Sequence, residues 1–375
     1  MSAAPRILHL HSSFDKGGKE LRSARLINAF GREFEHAIVS DDLERRSAAA
    51  LLDPKLRIAW ARFPSLAGKP FPARLKRLAA AMAGYDLVCT YNWGAIDAAL
   101  AHTLFADVYQ LPPLVHHEDG FTDDEAGKLK PSRNLYRRIA LGRSAAIVVP
   151  SRALERIALE TWDQPRSKVR LIPGGVDTAA YARRQRRDAL PRVVKQKGEL
   201  WVGTLASLRK AKHLPALVRA VRGLPEPWQL VIAGEGAERA AILAEAEACG
   251  IEHRVHLPGF IAEPARAVGL FDIFALSSRS EQFPIALVEA MAAGLPIAAP
   301  RVGDVAAMVA SENGPYLSAP GDEAGLAQAI RQLAADPALR ARLGRANRAK
   351  ARAEFDEARM IERYRALYRG LIGRR

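Results

Sequence analysis

Two α/β units, each a doubly wound parallel sheet, are predicted by three features of this sequence. Short apolar runs alternate with helical stretches along the whole chain, 375 residues exceed the size of one core, and a basic, proline-containing stretch interrupts the pattern near the middle. Usual domain sizes then give units of about 170–190 residues. In the first half the runs at 6–10, 35–40, 56–60, 86–90, 113–116, 145–149 and 169–172 read as strands, with helical stretches between them. The stretch 181–198, rich in arginine and carrying Pro191, reads as an exposed linker. Strands are expected again at 200–205, 229–233, 254–257, 273–276, 296–299 and 315–317. A final helix over about 352–371 carries Phe355, Met360, Ile361, Tyr364, Leu367 and Tyr368 as an apolar stripe at helical spacing.

Composition narrows the class. Apolar residues make up 49% of the chain and aromatics 7%, enough for buried parallel sheets, and no apolar run reaches the ~18–20 residues of a membrane span. The start, Met1 to Leu10, runs straight into a strand without a basic head, apolar core and cleavage site, so a cytoplasmic location is expected. Cys89 and Cys249 stand in apolar strand-like and helix-end contexts, as reduced structural thiols do. The net charge of +15 suits nucleic acid, an anionic membrane surface or anionic substrates. Its arginines are scattered along amphipathic helices (Arg133, Arg137, Arg138, Arg143; Arg340, Arg342, Arg345, Arg348) with no aromatic-interleaved groove, so nucleic acid is not the expected partner. Solvated helix faces in an Arg- and Ala-rich composition are the first reading of this charge. Peripheral attraction to the inner face of an anionic membrane is the other reading, at about 1 kcal/mol per basic residue near the surface.

Four segments carry chemistry. The first runs from Glu281 through Gln282, Phe283, Pro284 and Ile285 to Glu289, and on to Gly294 and Pro296. Residues 277–280 are loop-like and 285–293 have helical propensity, so Glu281 falls on a loop and Glu289 in the early turns of a helix. Such a helix start offers free N–H groups and a positive dipole end to phosphates. Glu281 can accept hydrogen bonds from sugar hydroxyls, and Glu289 can chelate the two hydroxyls of a ribose. The plain alternative is a surface helix with incidental glutamates. Near the N-terminus, Gly17 and Gly18 sit at a strand-to-helix turn, where backbone can come close to an anion or where a tight turn needs glycine for steric reasons. The segment lacks the Gly-x-Gly-x-x-Gly dinucleotide pattern. Third, His116, His117, Glu118 and Asp119 directly follow an apolar strand, at the sheet edge where open α/β folds bind ligands. A metal reading of this cluster lacks matching ligands at helical spacing elsewhere. Fourth, Arg209 and Lys212 in the turn after the strand 200–205 can neutralise charge on a departing diphosphate, or serve as ordinary surface charge.

Across nearly its whole length the chain resembles the retaining glycosyltransferases of family 4, which have the two-domain GT-B fold. The likeness lies in a Glu, seven residues, a second Glu and a small-residue helix ending in Gly294, Leu295 and Pro296. It implies two Rossmann-like domains facing each other across a cleft: 1–180 on the acceptor side, completed by the terminal helix of about 352–375, a linker at 181–198, and a nucleotide-sugar domain at 199–351. It gives donor-sugar contact to Glu281 and ribose contact to Glu289, with Phe283, Ile285 and Gly234 among the nucleotide contacts. Gly17 and Gly18 would close over the donor phosphate. His116, with His117 as the alternative, would reach the reacting face of the sugar, and Lys212 would hold the diphosphate. Three departures are visible: Gln282-Phe283-Pro284 replaces the usual Gly-Phe-Gly and removes one flexible amide, Ser207 stands where an Arg is usual with Arg209 two positions on, and Gly174 stands where Asn is common. The resemblance implies transfer of a hexose-type sugar from a nucleoside diphosphate sugar to a hydroxyl of a glycan, lipid-linked or other acceptor. Cell-surface polysaccharide or glycolipid synthesis is the expected setting. No cofactor and no metal are expected, since the Asp-x-Asp signature of metal-dependent enzymes is absent. Acceptor choice is expected in the loops 64–72 and 122–133. A sugar-nucleotide epimerase, and a non-catalytic nucleotide-sugar or polyanion binding protein, remain as alternatives.

Overall fold

The computed structural model describes residues 4–121, 123–125, 128–183 and 185–373. Three positions of the expected acceptor loop (122, 126 and 127), Arg184 of the expected linker, and the chain ends therefore lie outside the described residues. Two compact units emerge, one of residues 1–173 with 360–375 and the other Gly174–Arg359.

In the first unit, β1 (Arg6–His11), β2 (Glu35–Ser40), β3 (Ile58–Trp60), β4 (Leu87–Tyr91), β5 (Leu114–His117), β6 (Ala146–Val149) and β7 (Val169–Leu171) form one parallel sheet in the order β3-β2-β1-β4-β5-β6-β7. Order reverses beside β1, the doubly wound pattern. α1 (Gly18–Phe30), α2 (Pro72–Met82), α3 (Ile96–Phe105), α4 (Pro131–Ala140) and α5 (Arg152–Arg156) connect the strands. In the second unit, β8 (Leu200–Leu205), β9 (Trp228–Ala233), β10 (Val255–Gly259), β11 (Ile273–Ala275), β12 (Ile297–Pro300) and β13 (Leu317–Ser318) make a parallel sheet in the order β10-β9-β8-β11-β12-β13. With it go α6 (Thr178–Tyr181), α7 (Pro215–Arg222), α8 (Arg239–Ala248), α9 (Ile285–Ala293), α10 (Val305–Met308), α11 (Glu323–Ala335) and α12 (Pro337–Glu354). The central strands are buried along their length, β4 and β9 at every residue, which is why they read as apolar runs rather than alternating ones. Among the described residues no helix is long and apolar enough to cross a membrane.

Two features differ from the sequence expectation. The chain passes between units at Pro173–Gly174, not within 181–198. That basic stretch is tied to the second unit: Tyr181 and Leu190 are buried in its core, Lys195 Nζ bonds Asp272 Oδ2 at 2.6 Å, and Arg192 donates to the Pro258 carbonyl. The expected single helix from 352 is also broken. α12 ends at Glu354, and α13 (Glu357–Ile372) follows after Phe355 and Asp356. The break has a tertiary cause: Val176 donates its N–H to the Phe355 carbonyl and accepts from Glu357 N–H, while the Asp356 carboxylate accepts from Ala358 N–H at the start of α13. From Met360 onward α13 belongs to the first unit, where Met360, Tyr364 and Tyr368 pack with Ile7, Leu87, Cys89 and Phe30.

Candidate active site

The acidic pair of the second unit lies at the C-terminal ends of β8 and β11. After β11 the chain turns through Ser277 and Ser278, and after β8 a one-turn helix at 210–212 brings up Lys212. Backbone stitches these two turns together: Arg279 N–H donates to the Ala211 carbonyl at 2.9 Å and Ser277 Oγ to the Lys212 carbonyl at 2.8 Å. Onto this frame Glu281 projects one carboxylate oxygen that accepts both from Lys212 Nζ at 2.5 Å and from Ser278 Oγ at 2.7 Å. The Lys212 and Glu281 side chains are 18% and 9% exposed, sheltered but within reach of a ligand. Behind Glu281, Gly303 takes φ +53°, and a Cβ there would stand 2.1 Å from the Glu281 carbonyl, so only glycine lets these loops meet.

Eight residues after Glu281, Glu289 sits in the second turn of α9 and is 7% exposed, with Oε1 accepting from Tyr181 OH at 2.6 Å. Pro284 at the cap position gives the start of α9 no side-chain cap, and its first turn holds no acidic residue, so no carboxylate of that turn competes with an anion for the N–H groups. Phe283 and Ile285 are partly buried and turned toward packing: an added Cβ at Gly174 would lie 2.5 Å from Ile285 Cδ1 and 3.3 Å from the Phe283 ring, which also meets Phe355 edge-on. Arg209 is exposed and its Nε donates to Ser207 Oγ at 2.9 Å, so the shifted arginine bonds the serine that stands where an Arg is usual. Gly234 takes φ +144°, and a Cβ there would come within 1.8 Å of the Ala206 carbonyl. Close approach of the loops after β8 and β9 thus accounts for this glycine without a ligand.

In the first unit the expected residues are arranged differently. Gly17 caps α1 and Gly18 begins it, with open space where a Gly18 side chain would be. His116 and His117, expected beside a reacting sugar, are both buried, and strand alternation sends them to opposite faces. His116 Nδ1 bonds Thr90 Oγ1 at 2.9 Å, and its Nε2 lies 3.7 Å from Glu118. His117 Nε2 bonds Tyr368 OH at 3.0 Å, within a stack that runs His11, Tyr91, His117 and Tyr364. Asp119 leaves the cluster to form a forked ion pair with Arg22.

Sequence reasoning missed a buried polar network here. Arg137 makes a forked pair with Glu125 (3.2 and 3.0 Å), lies 3.4 Å from Glu118, and covers the rings of Trp93, Phe121 and Trp162. It also missed Tyr181, Ser277 and Ser278. Tyr181 fell in the supposed linker, where no local signal marks it, whereas two serines just ahead of Glu281 were a visible cue. Among the described residues no group of three or more His, Cys, Asp or Glu side chains could hold a metal ion.

Buried histidines make the first unit acid-sensitive. Burial holds His9, His11 and His117 well below the ordinary imidazole value and lowers His36 to about 4. Each therefore binds a proton more readily in the unfolded chain, so stability is complete above about pH 6.5 and falls as pH drops toward 4. Thermal melts between pH 7.5 and 5 should show Tm falling steadily, by up to about 1.4 kcal/mol of stability per histidine per pH unit. A flat profile would mean these histidines ionise freely.

Against this geometry the comparisons with known proteins are consistent. The family model described as Glycosyltransferase Family 4 matches residues 5–180, and that described as Glycosyl transferases group 1 matches 185–350. The chain belongs to the family 4 glycosyltransferases of GT-B fold. It is 25% identical to N-acetyl-alpha-D-glucosaminyl L-malate synthase of Bacillus anthracis over 73% of this chain and 71% of that protein. It is 28% identical to D-inositol 3-phosphate glycosyltransferase of Xylanimonas cellulosilytica over 73% of this chain and 70% of that one. Among solved structures, sucrose-phosphate synthase from Thermosynechococcus elongatus superposes with a TM-score of 0.77 at 22% identity, covering 98% and 99% of the two chains. Anabaena HepE in complex with UDP and glucose also gives 0.77, at 20% identity over 97% and 99%.

Proposed function

We propose that this glycosyltransferase is a retaining hexosyltransferase that uses a nucleoside diphosphate sugar and no metal, and that it builds a cell-surface polysaccharide or glycolipid. The observation that carries this reading is the Lys212–Glu281–Ser278 cluster, held at the strand ends beside the uncapped start of α9 with Glu289 one turn further in. Glu289, oriented by Tyr181, takes the ribose hydroxyls. The diphosphate lies at the α9 N–H groups, and Lys212 swings from Glu281 to meet the charge that develops as the bond from the anomeric carbon to phosphate breaks. Glu281 then holds the sugar hydroxyls. The acceptor oxygen attacks on the face the phosphate leaves, and its proton passes to the departing phosphate oxygen. The acceptor, borne on a glycan or a lipid, is the concern of the first unit, at the cytoplasmic face of the membrane.

The test is incubation of the protein with UDP-, GDP- and ADP-sugars and candidate acceptors, followed by NMR of the product. An α-linked glycoside from an α-linked donor, formed at the same rate with and without EDTA, is expected. An inverted product or loss of activity in EDTA contradicts the proposal, and free sugar released without a glycoside points to the epimerase.

A further inference from the structure

The turn that delivers Lys212 contains a residue in an uncommon conformation. His213 takes φ +48° and ψ +43°, the left-handed region that a residue with a Cβ seldom adopts and glycine adopts freely. Backbone bonds run on through it, from His213 N–H to the Lys210 carbonyl and from Ala216 N–H to the His213 carbonyl, so this left-handed step carries the chain from the one-turn helix at 210–212 into α7. Glycine would make the step without strain, and a histidine in its place calls for a reason in the side chain. His213 Nε2 bonds Glu323 Oε1 at 2.8 Å, at the start of α11, and the same carboxylate accepts from Arg219 Nε at 2.9 Å and Nη2 at 3.0 Å. Arg219 stands on α7, and its Nη1 also pairs with Glu245 of α8 at 2.8 Å. Hydrogen bonds from Arg219 first, and from His213 after it, hold the Glu323 carboxyl below the usual carboxylate range, at about 2, so it is ionised near neutral pH. For stability alone this network is a weak device, because the Arg219 and Glu323 side chains are 38% and 41% exposed. Its place in the fold gives it another consequence. Lys212 directly precedes His213, and its carbonyl accepts from Ser277 Oγ of the loop after β11 at 2.8 Å. The backbone at Lys212 is thus gripped on one side by that loop and on the other, through His213, by α11.

Given the role of Lys212 proposed above, on which this step rests, we infer that His213 is a positioning residue for sugar transfer: tied to Glu323, it fixes the turn from which Lys212 reaches the terminal phosphate of a nucleoside diphosphate. In that role Lys212 Nζ has two partners, Glu281 and the phosphate that departs with the nucleotide. The flexible carbon stem of a lysine is enough to carry the ammonium from one to the other. Were the backbone beneath it to move as well, the ammonium would spend part of its time out of reach of both, and less of its charge would act on the phosphate. Neither His213 nor Glu323 touches the substrate in this arrangement; both act through Lys212.

The test compares UDP with UMP, GDP with GMP and ADP with AMP by calorimetry, because the phosphate assigned to Lys212 is the one that the monophosphates lack. Wild type, Lys212→Gln, His213→Gly, Glu323→Ala and the double variant His213→Gly/Lys212→Gln are titrated with the pair that the wild type binds most tightly. Glycine keeps the left-handed step available and Glu323 is on the surface, so the melting temperatures of His213→Gly and Glu323→Ala should stay close to that of the wild type. The expected result is a loss of at least about threefold in diphosphate affinity in His213→Gly and in Glu323→Ala, with monophosphate affinity within about twofold of wild type, and no further loss in the double variant beyond that of Lys212→Gln. Equal losses for diphosphate and monophosphate, or a loss in His213→Gly that adds to that of Lys212→Gln, would show a merely structural role and overturn the inference. A diphosphate preference lowered by Lys212→Gln but untouched by His213→Gly and Glu323→Ala overturns it too, and leaves the role of Lys212 standing. An unchanged preference in Lys212→Gln, or no nucleotide binding to the wild type, overturns both.

Discussion

Glu281→Gln is expected to lower sugar transfer by about 10²-fold or more while leaving nucleoside diphosphate affinity within a few-fold of wild type. The amide keeps the size of the side chain and can still accept a bond from Ser278, so the loop after β11 should hold. What it removes is the charge that pairs with Lys212 and that draws hydroxyl protons of the sugar toward one edge of the site. Because Glu281 reaches neither the ribose side nor the start of α9 in the proposed arrangement, binding of the bare nucleotide should barely notice the change. Steady-state transfer rates beside calorimetric nucleotide titrations check this. Equal losses in transfer and nucleotide binding would refute the division of labour between the two glutamates.

The largest effect on stability is expected at Arg137, through the loss of an ion pair rather than of a contact with solvent. Its side chain is fully buried, its fork is closed on Glu125, and three aromatic rings surround it. Burial pushes the Glu125 carboxyl upward, but hydrogen bonds from Arg137 and Arg133 outweigh this and hold it below the usual range. Arg137→Leu would leave Glu125 with only Arg133 among these cations, and would strip the nearest arginine from Glu118, whose two oxygens have no hydrogen-bond partner among the described residues. Breaking one side of a buried pair costs about 3–5 kcal/mol, a fall in Tm of order 10 °C for a unit of this size. Arg138→Gln, one residue on, breaks an ion pair with Asp163 in which both side chains are more than half exposed, and should change stability by less than about 1 kcal/mol. Thermal melts of the two variants side by side make the comparison, and similar Tm losses in both would show that burial of the Arg137 pair is not what stabilises the unit.

Much of the fold was legible because parallel strands covered on both faces must be apolar throughout. β2 and β8 fall where they were expected, and the other strands begin and end within two residues of expectation. α9 was equally clear from its unbroken helical propensity and the left-handed Gly294 that ends it. The break at Phe355 was not legible, since its cause is Val176, far away in sequence. Nor was the true boundary between units, because the arginines of 181–198 look like a solvated linker while Tyr181 and Leu190 among them are core. In the candidate site, Glu281 and Glu289 were marked by the family resemblance of the residues that flank them, since their spacing alone also fits a surface helix. The bond from Lys212 to Glu281 depends on the pairing of β8 with β11, which no local pattern encodes. His116 and His117 were read as alternatives at a strand end, and as adjacent strand residues they face opposite ways.

The most direct measurement is calorimetric titration of the wild type, Glu281→Gln and Glu289→Ala with UDP, GDP and ADP. The donor site proposed for the second unit requires one nucleotide to bind the wild type and Glu281→Gln alike, and Glu289→Ala at least about tenfold more weakly, since a charged partner of the ribose hydroxyls is lost. Undiminished binding by Glu289→Ala, or no binding of any of the three nucleotides to the wild type, would contradict the assignment of Glu289 and of the start of α9 to the donor.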